Sequence, residues 1–137
     1  MIKIIIVDDH ALVREAWNML LGKNPSFHIA ELCENGEQAV EICRKLKPEV
    51  ILMDINMEPV NGFQATKRIR EFDQEVKIIG ISVHTGLPYV KGIIAAGANG
   101  YVTKNSSLEE MTEAIFEVLL GHEYICKEIL ESKSREL

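Results

Sequence analysis

Apolar residues are grouped along the chain in short continuous runs, and more polar stretches of helix length separate these runs. Runs rich in β-branched residues predict five strands, at residues 2–7, 27–32, 50–53, 77–82 and 99–103. Within each run the apolar residues follow one another instead of alternating with polar ones, which is typical of parallel strands covered on both faces. The pattern therefore predicts a sheet that is buried between two layers of helices.

The segments between the runs place apolar residues at helical spacing. Helices with one buried face are predicted at residues 11–21, 37–46 and 62–72. A further helix follows Ser106, which forms a capping-box pattern with Glu109, and Gly121 ends this helix. Because strands and helices alternate five times, the predicted fold class is α/β, a doubly wound (βα)5 sandwich.

Polar side chains stand where the predicted strands end. In chain order they are Asp8, Asp9, Asp54, Ser82 and Lys104. A doubly wound sheet binds its ligands beyond the carboxyl ends of its strands, near the point where the winding reverses. We therefore expect three carboxylates, one hydroxyl and one amine to meet at this edge of the sheet.

The three aspartates predict a cation site. Neighbouring carboxylates repel each other and lose solvation when buried, so they need a positive charge between them. The oxygen ligands of Asp8, Asp9 and Asp54 suit Mg²⁺. The alternative role for the first two is to cap the helix at residues 11–21, but capping needs one carboxylate and leaves its neighbour unexplained.

A phosphoryl group would fill an open position of such an ion. Asp54 is then the natural nucleophile, because a carboxylate accepts a phosphoryl group to give an acyl phosphate when cations offset the charge. Lys104 supplies a fixed positive charge, and the hydroxyl of Ser82 is a hydrogen-bond donor for a phosphoryl oxygen.

The motifs VDDH, LMDINM, ISVH and GANGYVTK stand in this order along the chain. With them the sequence closely resembles the receiver domain of two-component response regulators. The opening DDHALVREA, and GANGYVTKNSSLEEMTEAI followed by GHEYIC, are similar to NarL/LuxR-type transcriptional regulators. The resemblance implies a flavodoxin-like fold with a five-stranded parallel sheet in the order 2-1-3-4-5.

The resemblance also implies roles for the residues at the strand ends. Asp54 would be the phosphoacceptor. Asp8, Asp9, Asp54 and the backbone carbonyl of Asn56 would bind Mg²⁺. Lys104 would contact the phosphoryl group during catalysis.

Further residues would report or tune phosphorylation. Ser82 would be the switch hydroxyl, and Tyr101 the aromatic residue that changes rotamer, although an aromatic in a final strand equally suits core packing. His84 would border the site, or it is an ordinary loop histidine. The motif normally has proline four residues after the acceptor, where this chain has Glu58, whose charge would tune metal or phosphoryl binding. His10 is interpreted as a helix-start residue.

The resemblance implies a signalling switch, and not an enzyme, with at most slow self-dephosphorylation. A sensor histidine kinase would donate the phosphoryl group, and phosphorylation would favour a homodimer that controls transcription. Residues 1–121 would form the receiver domain, and residues 122–137 a linker or helical extension toward a helix-turn-helix domain that this chain does not include. The alternatives are a stand-alone receiver that signals by protein docking and a small Mg²⁺-dependent aspartyl-phosphate phosphohydrolase.

The composition of the chain excludes several classes of function. The chain has 137 residues, the length of one domain, and its formal charge of −6 excludes a basic surface for nucleic acid or anionic membranes. DNA contact would therefore require another module. Cys33, Cys43 and Cys126 fit neither a disulfide framework nor a zinc site, and no signal peptide or membrane span is apparent. A cytoplasmic protein with buried, reduced thiols and no membrane contact is predicted.

Overall fold

The computed structural model describes the backbone of residues 1–136 and the side chains of residues 1–132. Its centre is a parallel sheet with the strand order β2-β1-β3-β4-β5-β6. The strands are Ile2–Val7 (β1), Phe27–Cys33 (β2), Val50–Asp54 (β3), Lys77–Ser82 (β4), Gly100–Thr103 (β5) and Tyr124–Ile125 (β6). The α/β fold class is confirmed, and the winding reverses between β1 and β3.

The prediction of five strands is wrong, because the sheet has a sixth. Strand β6 pairs Tyr124 with Gly100 and Ile125 with Tyr101. A strand of two half-buried residues is too short to produce a recognisable apolar run. The sixth strand is therefore visible only from its pairing with β5.

Helices cover both faces of the sheet. They are Ala11–Gly22 (α1), Gly36–Leu46 (α2), Gly62–Arg70 (α3), Leu87–Ala96 (α4), Leu108–Leu119 (α5) and Lys127–Glu136 (α6). Helix α1 contacts α5, whereas α2 contacts α3 and α3 contacts α4. Two helices thus lie together on one side of the sheet and three on the other. None of the helices within residues 1–136 has the length and apolarity needed to cross a membrane.

Side-chain caps fix the beginnings of three helices. The side chains of Asn35, Asn61 and Ser107 each accept a hydrogen bond from a backbone N–H in the first turn of α2, α3 and α5. The predicted cap at Ser106 is therefore displaced by one residue. The Ser106 hydroxyl is buried and has no hydrogen-bond partner among the described side chains.

The C-terminal segment of the described chain packs against strand β5. The Cys126 N–H donates to the Tyr101 carbonyl at 3.0 Å, and the Ile129 side chain of α6 is buried. The Thr103 hydroxyl, at the end of β5, lies 3.3 Å from a carboxylate oxygen of Glu128. In the segment 122–137, predicted as a linker or helical extension, residues 124–125 thus join the sheet and α6 follows. Leu137 lies outside the described residues.

Candidate phosphoacceptor and metal site

Asp54 is the last residue of a strand that is buried along its whole length. Strand β3 lies between β1 and β4, and its final side chain has no solvent exposure. The Asn56 N–H donates to Asp54 Oδ1 at 3.0 Å, which orients the carboxylate. Gly62 begins α3 directly against this loop, and a Cβ atom at Gly62 would collide with the Asp54 carbonyl oxygen and Ile55 Cα. Glycine is therefore required for this close approach.

Two more carboxylates leave the neighbouring strand β1. Asp8 is buried, while Asp9 retains 40% side-chain exposure. Arg14, one turn into α1, donates from Nη1 to the Asp8 carbonyl oxygen at 2.6 Å. This bond ties the β1–α1 loop to the helix and so fixes the direction in which Asp8 points.

Lys104 supplies the cation between these groups. The backbone N–H of Lys104 donates to the Ser82 carbonyl at 2.9 Å, which sets the residue at the end of β5. Its Nζ lies 3.2 Å from both Asp8 oxygens, 3.4 Å from Asp54 Oδ2 and 2.9 Å from His10 Nδ1. One ammonium group therefore contacts acidic residues from two strands.

The pKa of Asp54 is raised to about 7 despite this ammonium group. Burial is the main cause, because the charged carboxylate loses its solvation. The Asn56 N–H lowers the pKa, the charge of Asp8 raises it, and Lys104 lowers it. Burial thus outweighs the two groups that lower the pKa of Asp54, the Asn56 N–H and the Lys104 ammonium.

The residues present fit a divalent cation. Asp8, Asp9, His10 and Asp54 each offer a ligand atom, and these atoms lie within 4.8 Å of one another. The Lys104 ammonium already contacts three of these side chains, so their donor atoms converge on a positive charge. Carboxylate oxygens are the ligands that Mg²⁺ prefers.

Ser82 lies at the end of β4, beside β3. Its hydroxyl donates to the side-chain oxygen of Asn56 at 3.0 Å and accepts from the His84 N–H at 3.1 Å. The His84 ring stacks on Tyr89 of α4, with ring centroids 4.1 Å apart. Tyr101 is buried, and its hydroxyl donates to the His84 carbonyl at 2.6 Å. These bonds join the loop after β4 to both β3 and β5.

Glu58 is exposed and lines an open cleft of about 630 Å³ together with Asp9, Asn56 and Met57. The cleft adjoins the acidic pocket through Asp9. Glu58 therefore lies at its rim and makes the approach to the pocket more negative.

Three functional contacts escaped the sequence analysis. His10 was interpreted as a helix start, but its ring nitrogen faces the acidic group. Arg14 was not predicted to be a site residue, because an arginine in an amphipathic helix normally faces solvent. For Asn56 only the backbone carbonyl was considered, whereas its side chain holds Ser82. The VDDH motif could have indicated the contact of His10. The contacts of Arg14 and Asn56 depend on the tertiary arrangement and have no sequence signal.

Known proteins resemble this chain in both sequence and fold. Residues 4–116 match the family described as "Response regulator receiver domain". The transcriptional regulatory protein DegU of Brevibacillus brevis is 38% identical over 98% of this chain and 57% of its own length. A LuxR-family two-component response regulator from Aurantimonas sp. SI85-9A1 superposes with a TM-score of 0.92 at 30% identity, covering 98% of this chain and 96% of that one. The signal receiver domain of the putative response regulator NarL from Mycobacterium tuberculosis superposes with a TM-score of 0.84 at 26% identity, and the match covers 88% of this chain and 98% of that one.

This chain belongs to the response regulator receiver domain family. Its relatives are regulators of the LuxR/NarL type, and the chain is a receiver domain of that type in a two-component response regulator. Receiver domains act as phosphoacceptor switches rather than as classical enzymes. The chain spans less than two thirds of the length of DegU.

Proposed function

We propose that Asp54 accepts a phosphoryl group from the phosphohistidine of a sensor histidine kinase. The observation that supports this most is the position of the Lys104 ammonium, which lies 3.4 Å from Asp54 Oδ2 and 3.2 Å from the oxygens of Asp8. A buried carboxylate next to a fixed cation and further acidic ligands suits phosphoryl transfer.

In the transfer, an oxygen of Asp54 forms the new bond to phosphorus while the nitrogen–phosphorus bond of the kinase histidine breaks. The electron pair of that bond stays on the leaving imidazole. Mg²⁺, held by Asp8, Asp9, Asp54 and the Asn56 carbonyl, would offset charge on the phosphoryl oxygens. Lys104 then pairs with one of these oxygens. Water reverses the modification slowly, so the domain works as a switch.

The switch would pass through Ser82 and Tyr101. A phosphoryl group adds about 1.5 to 2 negative charges and new acceptor oxygens, which compete with Asn56 for the Ser82 hydroxyl. The His84 N–H binds the same hydroxyl, and the His84 carbonyl binds Tyr101, so movement of Ser82 reaches Tyr101 through a single residue.

The conformational change at Tyr101 would be transmitted to the C-terminal segment. Tyr101 lies in β5, and its backbone carbonyl accepts a hydrogen bond from the Cys126 N–H. Helix α6 begins at Lys127, the residue after Cys126. We propose that phosphorylation favours a homodimer and that DNA is bound by a separate module outside this chain. DegU bears the name of a transcriptional regulator, in keeping with this output.

Glu58 and His84 would tune the lifetime of the phosphorylated state. Glu58 adds a negative charge at the cleft rim, which opposes an incoming anion. His84 borders Ser82 through its backbone. A cytoplasmic location is proposed because Cys33, Cys43 and Cys126 are free and buried.

Acetyl phosphate labelling tests the proposal. With Mg²⁺, the protein should gain one alkali-labile phosphoryl group, detected as an increase in intact mass. Asp54→Asn should remove this gain, whereas Asp73→Asn, which replaces a carboxylate outside the pocket and keeps a turn-capping oxygen, should retain it. Full labelling of Asp54→Asn, or steady turnover of p-nitrophenyl phosphate by the unmodified protein, would contradict the switch.

A further inference from the structure

The ring of His10 faces the acidic pocket. Its backbone N–H donates to Asp8 Oδ1 at 2.8 Å, which holds the residue against that carboxylate. The ring atom Nδ1 then lies 3.2 Å from Asp8 Oδ1, 3.1 Å from Asp9 Oδ1 and 2.9 Å from Lys104 Nζ. No side-chain capping bond is made by His10 at the start of α1, so helix initiation does not explain the orientation of its ring.

The contact with Lys104 favours one form of the ring. An ammonium group donates hydrogen bonds and cannot accept them, so Nδ1 accepts from Lys104 in the neutral tautomer that carries its proton on Nε2. The short distances from Nδ1 to Asp8 and Asp9 are then contacts between acceptors, and not ion pairs. A lone pair that faces two carboxylates is unfavourable unless a cation lies between them. Lys104 is such a cation for His10 and Asp8, because its Nζ contacts both side chains.

We propose that His10 Nδ1 is a nitrogen ligand of the divalent cation in this pocket, and that the site consequently binds transition-metal cations such as Mn²⁺ or Co²⁺ more tightly than Mg²⁺. This inference rests on the proposed metal pocket of Asp8, Asp9, Asp54 and the Asn56 carbonyl, to which it adds a nitrogen ligand. Imidazole nitrogen binds transition-metal cations well, whereas Mg²⁺ prefers oxygen and retains its waters. Removal of the ring should therefore weaken Mn²⁺ binding much more than Mg²⁺ binding.

Mn²⁺ is the probe, because electron spin echo spectroscopy detects a nitrogen atom bound directly to it. The intact chain and His10→Ala are compared at about pH 8, where a free imidazole is neutral. His122→Ala is the matched control, because His122 is equally exposed and contacts a carboxylate of Glu117 outside the pocket. Mg²⁺ affinity is measured separately by isothermal titration calorimetry, and circular dichroism confirms the fold of each variant.

The intact chain and His122→Ala should show nitrogen coupling to bound Mn²⁺, and His10→Ala should lose it. Loss of the ligand should weaken Mn²⁺ binding by about tenfold or more and Mg²⁺ binding by less than about threefold. The inference is overturned if the intact chain shows no nitrogen coupling, if His10→Ala retains it, or if both cations lose affinity equally. Failure of the proposed function is recognised separately, as absence of Asp54 labelling by acetyl phosphate in Mg²⁺.

Discussion

The hydroxyl of Tyr101 donates a 2.6 Å hydrogen bond to the backbone carbonyl of His84, two residues beyond Ser82. The aromatic ring predicted to be a switch is thus held inward, with no solvent exposure, by the loop that follows the predicted switch hydroxyl. The loop after β4 is therefore joined to β5 by a side-chain hydrogen bond, in addition to the backbone ladder between the two strands.

Removal of this bond should loosen the loop after β4 without unfolding the domain. Tyr101→Phe leaves the His84 carbonyl without its partner, and we expect a loss of about 1 kcal/mol in the free energy of unfolding. Amide hydrogen exchange around His84 should accelerate, as measured by mass spectrometry. Tyr89→Phe is the control, because it keeps the ring that stacks on His84. Equal effects of the two substitutions would contradict the assigned bond.

Lys104 should stabilise the fold most when no metal is present. Lys104→Met leaves the buried carboxylates of Asp8 and Asp54 without their cation, which should lower the free energy of unfolding by about 3 kcal/mol in EDTA. Mg²⁺ should recover most of this loss, because it replaces the missing charge. Urea denaturation with and without Mg²⁺ measures both effects. Lys45→Met, which removes an exposed pair with Glu41, should change stability by less than about 0.5 kcal/mol in either condition.

Asp54 should make the stability of the metal-free protein depend on pH. Its folded-state pKa of about 7 exceeds the value of about 4 for an unfolded aspartate. The folded state therefore binds the proton more tightly, and stability falls as the pH rises from about 4 to about 7. A difference of about three in pKa corresponds to about 4 kcal/mol.

Asp54→Asn removes the free-energy cost of burying a charged carboxylate, because the amide has no charge. In EDTA the variant should be more stable than the unmodified protein at about pH 8, and this advantage should disappear near pH 4. Urea denaturation across this range measures the difference. Mg²⁺ should reduce the advantage at high pH by stabilising the charged carboxylate. An advantage that is constant across pH would show that the effect comes from packing instead of charge.

Gly62 should be essential for the geometry of the acceptor loop. A methyl group there would collide with backbone atoms of Asp54 and Ile55, which cannot move as a flexible side chain can. Gly62→Ala should cost about 1 to 3 kcal/mol and lower the yield of Asp54 phosphorylation. Gly22→Ala is the matched control, because the added methyl meets no atom within 4 Å and α1 is helical there. Unchanged stability of Gly62→Ala would contradict the close approach.

The sequence predicted most accurately where a local pattern decides the structure. Continuous apolar runs located the five longer strands to within about one residue, since burial on both faces requires them. The positions of Asp8, Asp54 and Lys104 at the pocket followed from strand ends, because a parallel sheet brings such ends together.

Prediction was poorer where two neighbouring residues could perform the same task or where tertiary contacts decide. Ser106 and Ser107 both precede α5, and only the backbone geometry selects Ser107 as its cap. The orientation of the His10 ring depends on a carboxylate and an ammonium that come from different strands. Neither relationship has a periodic signal in the sequence.

Strand β6 has only two residues, but it changes what β5 exposes. The N–H groups of Tyr124 and Cys126 donate to the carbonyls of Asn99 and Tyr101 along the outer side of β5. Without them, β5 would present unpaired backbone acceptors, a template for pairing with another molecule. The short strand therefore protects the protein against edge-to-edge pairing with another chain. A chain cut after Gly121 would lose that protection even if its acidic pocket remained intact.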